Sequence, residues 1–458
     1  MKTKTQIDMV NGPLVKNIIA YTVPVMLTGI FQLLFNAADL IVVGRFADES
    51  SIAAVGATGS IINLIVNLFM GLSVGTGVTI AHAVGAGHEK DAREAVHTAI
   101  PLAIVGGAVI MVIGFFFAKP MLLLMQNPPD VIEKSTIYMK IYFIGIIGNL
   151  VFNFGASILR AVGDTKSPML FLTLAGVVNV GLNMVFVIVF HMDVAGVALA
   201  TITSQALSAL LVVIALSKRT DCCRFEFKRM KIRMRPLKKM LLIGVPSGIQ
   251  SSLFAISNVI IQSSVNSFGS TVMAGHSAAA SIEGFLYTSQ NSFYQTSVNF
   301  VSQNYGARNL KRVKKIAWQC FLFAGLTGAT LGCLSIVFSK QLLGIYISGN
   351  AEAIKYGMLR MSILSSTYFL CGLMEVSTGL LRGIGKSVMP MVASVLGVCV
   401  LRVGWVMTIF KVPEFHTLEC LYVSYPISWF LTTAVQLTLF LVAFKKIKQR
   451  HNLLIKAE

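Results

Sequence analysis

Charge is scarce in this 458-residue chain. Asp, Glu, Lys and Arg together make up 12% of it, about half the share usual in a soluble domain. An ordinary water-facing surface cannot be built from so few charged groups. Acidic residues are scarcer still, 19 Asp and Glu against 38 Lys and Arg. Seven cysteines include one adjacent pair, Cys222-Cys223, and no metal-ligand spacing, so the cysteines carry no recognisable chemistry. No phosphate-binding loop, catalytic triad or metal-ligand cluster is present, which excludes an enzyme and a nucleotide-driven machine. The apolar-polar alternation of membrane β-strands is missing as well, which excludes a barrel. The first apolar run outlasts a signal-peptide core and lacks a small-residue cleavage box, so no cleaved leader is expected.

Apolar residues are plentiful, at 55% of the chain, and mean hydropathy is +0.75. A helix needs roughly 20 apolar residues to cross the hydrocarbon of a bilayer. Runs of that kind lie near 14–43, 52–82, 95–118, 136–158, 168–191, 195–216, 240–268, 271–301, 317–338, 356–380, 388–410 and 421–444. Twelve transmembrane helices are predicted, some long enough to require tilt or water-exposed ends. The fold class is therefore an all-α polytopic membrane protein.

The chain also repeats itself. Residues 24–36 return as 246–258, with Pro24 opposite Pro246 and Asn36 opposite Asn258. At the same offset of 222 (246 less 24), Leu159-Arg160-Ala161-Val162-Gly163 returns as Leu381-Arg382-Gly383-Ile384-Gly385. Gly85-Ala86 returns as Gly306-Ala307. Six helices per repeat keep both halves in one orientation, related by a pseudo-twofold axis along the membrane normal. The expected organisation is a six-helix lobe at 1–216, a basic linker at 217–239 and a second six-helix lobe with its tail at 240–458. Repeat-built lobes of this kind hold a substrate between them and rock around it. Pro24 and Pro246 interrupt the first run of each lobe and favour a bend there. The glycine-containing segments at 85–87, 163–166, 306–307 and 385–387 read as tight turns or as gates.

The formal net charge of +19 could point to nucleic acid, but its distribution points to topology. Of the 38 basic residues, 29 fall in one set of alternate loops, ten of them in the 217–239 linker. Eight fall in the other set (Arg45, Lys119, Lys134, Lys140, Lys340, Lys355, Arg360 and Lys411), and Arg402 lies inside a span. The positive-inside rule then puts both termini and the linker in the cytoplasm of a cell inner (plasma) membrane protein. The linker can in addition attract anionic lipid headgroups.

Few ionisable groups fall deep within the spans, where burial demands a reason. Asp39 lies in the first span, with Asn36 three residues before it and Arg45 six after; spacing of three allows Asn36 and Asp39 to line one site. A carboxylate there can hold Na⁺, a proton or a cationic substrate, or can pair with Arg45. Asn153, Asn179 and Asn183 are polar positions in the fourth and fifth spans that can complete an ion site with Asp39. Glu283 stands near the middle of the eighth span, followed by Gln290 on a polar stretch. Arg402 can neutralise Glu283 or Glu375, or snorkel along a wall. The 29 Phe and 21 Met suit a deformable cavity as well as plain packing.

These stretches resemble the multidrug and toxic compound extrusion family. The likeness rests on Pro24 through Arg45, Val84-Gly85-Ala86-Gly87, Ser157 through Thr165, Ala195 through Thr201, Gln303-Asn304-Tyr305-Gly306-Ala307 and Leu380-Leu381-Arg382-Gly383. It spans 14–445. The resemblance implies two V-arranged bundles, and export of cationic or amphiphilic compounds against inward Na⁺ or H⁺ without any other cofactor. It implies that Asp39 is the coupling carboxylate, and the metal ligand if the ion is Na⁺. Asn179 would be its polar partner in the fifth span. Asn183 stands where many members carry aspartate, and Phe369, Leu370 and Cys371 stand where others carry a second-lobe acid. The preferred reading is a monomeric, cation-coupled antiporter of small organic molecules. The alternatives are a flippase or exporter of lipid-linked or glycan substrates, and a channel.

Overall fold

A computed structural model describes residues 6–46, 49–124, 129–347 and 349–457. Among them are twelve long helices: α1 (Leu14–Phe46), α2 (Glu49–Gly85), α3 (Glu89–Leu124), α4 (Pro129–Ala161), α5 (Lys166–Val189) and α6 (Asp193–Ser217). The second series is α7 (Met234–Asn266), α8 (Ser270–Gly306), α9 (Leu310–Val337), α10 (Ala351–Gly383), α11 (Val388–Lys411) and α12 (Leu418–Ala457). A short helix, Ser339–Tyr346, precedes α10. The predicted all-α polytopic architecture is the observed one.

Eleven of these helices are long and apolar enough to cross a membrane. The exception is α8, the span on which the sequence already placed a polar stretch after Glu283. Its polar side chains, among them His276, Glu283, Gln290, Asn299 and Asn304, are buried within the protein. Neighbouring helices meet them in place of lipid, so the helix tolerates a composition that hydrocarbon would reject.

The chain divides into two compact units, Met1–Gly12 with Val23–Gly248, and Pro13–Thr22 with Ile249–Glu458. Both divisions inside helices fall beside the repeated prolines, Pro24 of α1 and Pro246 of α7. In the first unit α4 packs on α2, α3 and α6, around Met139, Phe143, Leu150 and Phe154. Gly71 and Gly75 of α2 meet Gly244 and Gly248 of α7. A Cβ on Gly71 would fall 2.1 Å from the Gly248 nitrogen, and one on Gly75 would fall 2.2 Å from the Met240 carbonyl oxygen. These paired small-xxx-small stripes let the two backbones touch. In the second unit α8 packs on α9 and α10, and α10 on α12, around Ile261, Leu364, Leu421 and Tyr422.

The repeated turns have matching geometry. Gly163 and Gly385 adopt φ of +89° and +80°, values that a side chain resists. Asp164 next to the first accepts the Ser167 N–H at 3.1 Å and starts α5. After α6, Arg219 is buried and donates to Asp221 through Nε at 3.0 Å. Burial alone would raise the Asp221 carboxyl, but the Arg219 guanidinium outweighs it and holds the carboxyl below its usual range.

Candidate functional site

Each unit buries its own polar cluster. In the first, α5 turns one face toward α1. Gly176, Asn179 and Asn183 recur at helical spacing on that face and are buried. The missing side chain of Gly176 matters here. A Cβ on it would fall 2.0 Å from the Phe35 ring of α1, so glycine allows the two helices to close. One turn beyond Phe35, Asp39 Oδ1 accepts a hydrogen bond from Asn183 Nδ2. Asn183 Nδ2 also lies 3.4 Å from Asn179 Oδ1. The other amide atom, Asn183 Oδ1, is buried without a partner.

Among the described residues the cluster therefore presents carboxylate and amide oxygens with no basic side chain, a donor set that suits a hard cation. Immediately after Asn183 the helix widens into a π turn, Val185–Val189, the kind of local irregularity often found beside functional groups. Asn36 is exposed, and no hydrogen bond joins it to Asp39 among the described residues. Asn153 donates instead to Asn149 O at 2.9 Å and Oδ1 at 3.0 Å within α4. The side chain of Arg45 lies outside the described residues.

The second unit is built around arginine. Glu283 of α8 accepts from Arg360 Nε at 2.9 Å and Nη2 at 2.7 Å, a bidentate pair. Arg360 also lies 3.0 Å from His276 Nδ1. An arginine can only donate, so the imidazole nitrogen facing it accepts. His276 is in turn 3.3 Å from the Tyr422 hydroxyl. Arg360 thus belongs to the interior, 5% exposed, and not to the loops where its charge was first counted. A bidentate carboxylate makes such depth tolerable.

Arg402 of α11 does not meet either acid. Its Nε donates to Ser428 Oγ at 2.8 Å, and its guanidinium lies 4.0 Å from the Tyr425 ring centroid and 5.6 Å from that of Trp429. Its Nη2 is buried without a hydrogen-bond partner. Glu375 is buried within electrostatic reach of Arg382, which donates to Gln250 Oε1 at 2.8 Å and to the Tyr294 hydroxyl. Gln290, with its amide turned to suit its neighbours, donates to Ala324 O at 3.2 Å and accepts from Gly328 N at 3.1 Å. It ties α8 to α9.

Sequence reasoning missed Arg360, His276 and Tyr425. One signal was available: His276 and Glu283 are two turns apart on one face of α8, and a buried acid calls for a base. Among the described residues, no group of three or more His, Cys, Asp and Glu side chains could hold a metal.

The MatE family profile matches the chain twice, over 24–185 and 246–406, at the offset of 222 already visible in the motifs. The chain is 27% identical over 396 residues to a probable multidrug resistance protein, YpnP, of Bacillus subtilis, covering 86% of this chain and 88% of that one. It is 24% identical to a probable multidrug resistance protein, NorM, of Thermotoga maritima, covering 84% of both. A solved structure of a MOP superfamily transporter from Pyrococcus furiosus superposes with a TM-score of 0.91 at 21% identity, covering 98% of this chain and 100% of that one. With both repeats matched and the twelve-helix architecture in place, the chain belongs to the MatE family of membrane transporters.

Proposed function

We propose that the protein is a cation-coupled antiporter that exports organic cations or amphiphilic compounds, with Asp39 as the coupling carboxylate. The observation that carries this reading is the pairing of Asp39 with Asn183, whose own carbonyl oxygen is buried and unpartnered. Neutral amides orient a carboxylate without cancelling its charge. A Na⁺ ion or a proton can therefore decide the charge of the cluster, and its arrival or loss favours one conformation over another. Asn179 supplies a further oxygen. In this reading both termini and the 217–239 linker are cytoplasmic, the host membrane is the inner (plasma) membrane, the lobes correspond to 1–216 and 240–458, and a monomer suffices.

The test is efflux of a fluorescent organic cation from proteoliposomes, under Na⁺ and pH gradients imposed separately. Wild type should respond to one gradient and Asp39→Asn to neither, while the mutant remains folded. Equal transport by Asp39→Asn would overturn the assignment.

Arg402 favours a second reading, export of a substrate bearing phosphate or carboxylate, as a lipid-linked or glycan carrier would require. A buried guanidinium with an unpartnered Nη2 is suited to such an anion. Competition by an anionic amphiphile, lost in Arg402→Gln, distinguishes this reading from the first.

A further inference from the structure

We propose that the linker and the first turns of α3 form a binding site for the headgroup of an anionic phospholipid. A cavity of about 650 Å³ lies between these segments. Lys90, Arg93, Lys228 and Lys231 line it and make no ion pair with any described residue. Two further basic residues at its edge are already neutralised, Arg229 by Glu226 at 2.8 Å and Arg233 by Glu94 at 2.5 Å. Glu89 is the one remaining lining acid, so the cavity keeps an excess of positive charge.

The pocket is built, not a loose basic run. His97, 3% exposed, contacts Arg93 O through Nδ1 at 2.8 Å, and its Nε2 accepts the Glu226 N–H at 3.1 Å. Its ring stacks on Phe225 with centroids 5.6 Å apart. The Lys231 N–H donates to His97 O at 3.3 Å, and the Arg233 N–H to Thr98 Oγ1 at 3.3 Å. One turn of α3 therefore fixes the course of the linker from 225 to 233.

The sequence Phe227-Lys228-Arg229-Met230-Lys231-Ile232-Arg233-Met234 interleaves these cations with apolar side chains. Phe227 is 65% exposed and Met234 67% exposed, and Met230 and Ile232 are exposed as well. Their positions beside the N-terminal ends of α3 and α7, two helices long and apolar enough to cross a membrane, favour a lipid over free phosphate. Apolar side chains can enter the acyl boundary while the cations meet the phosphate, as interfacial segments do.

The test is binding of phosphatidylglycerol and phosphatidylcholine to the full chain in a neutral detergent, counted by native mass spectrometry, with glycerol phosphate as competitor. Wild type should prefer phosphatidylglycerol, and glycerol phosphate should compete poorly. Replacing Lys90, Arg93, Lys228 and Lys231 by Gln should weaken binding roughly fivefold per cation removed. Replacing Phe227, Met230, Ile232 and Met234 by Ser should weaken it too, with the cations intact. Undiminished preference in the Gln variant overturns the site. Equal competition by glycerol phosphate, or an unaffected Ser variant, overturns the lipid as its occupant. Neither outcome bears on Asp39 and transport.

Discussion

The polar clusters within the helices of the two units hold their carboxylates in opposite ways. In the first, the partners of Asp39 among the described residues are amides, Asn183 and through it Asn179. In the second, three arginines are buried, Arg360, Arg382 and Arg402, with two carboxylates, Glu283 and Glu375. Glu283 is answered by a bidentate guanidinium, whereas Asp39 is oriented by an amide and, in the proposed reading, is answered by an ion from outside. The repeat did not impose this difference. At the offset of 222, Arg160 and Arg382 coincide and so do Gly163 and Gly385, but Asp39 coincides with Ile261, Val180 with Arg402 and Asn153 with Glu375. Turns and helix packing are shared, and chemistry is not. A duplicated fold constrains backbone geometry at its turns, while an interior polar position is free to diverge once its partner changes with it.

The largest expected effect breaks the first cluster. Asp39→Asn should abolish gradient-driven efflux, measured in proteoliposomes, with little change in melting temperature. The second unit should behave in the reverse way. Glu283→Gln leaves Arg360 buried without its carboxylate, and removal of one partner of a buried pair costs about 3–5 kcal/mol. Its melting temperature should fall sharply, and the double variant Glu283→Gln, Arg360→Met should recover part of the loss. A stable Glu283→Gln protein would mean that the pair is not what holds α8 to α10.

A smaller effect is expected at Arg402. Arg402→Lys keeps the charge but loses the planar stacking on Tyr425 and Trp429, at a cost of about 1–2 kcal/mol, readable by thermal denaturation. Smaller still is the pH response of the linker. The Asp221 carboxyl is held below its ordinary range, so its contribution is fully present above the unfolded value, near 4. It is lost as pH falls through the lower folded value. Hydrogen-exchange protection factors at 219–225, corrected for the intrinsic rate, should fall on acidification through that window in wild type, and Asp221→Asn should remove the dependence.

Much of this was legible in the sequence for a physical reason. A membrane span must satisfy its backbone internally and present apolar side chains to lipid, so composition and length alone announce a helix. The repeat announces itself because tight turns and close helix approach accept few residues, Gly163 and Gly385 among them. Asp39 stood out because a lone carboxylate in an apolar run is costly. The polar face of α8 was legible also, but not what met it. Arg360 was counted with the loops because linear position does not reveal that a guanidinium ten residues into α10 turns inward to Glu283.

What the amino-acid sequence determined by itself was the class of solvent, the number of helices, the twofold repetition and the scarcity of buried acids. These follow from transfer free energies and backbone sterics, which act residue by residue. Only the tertiary structure decided which acid has a guanidinium and which has an amide. It brought Asn183 rather than Asn153 to Asp39, gave Glu283 to Arg360 rather than Arg402, and pinned the basic linker against His97. Such pairings depend on which faces of distant helices come within about 3 Å, and hydrogen bonds and ion pairs of that range leave no periodic mark on the chain.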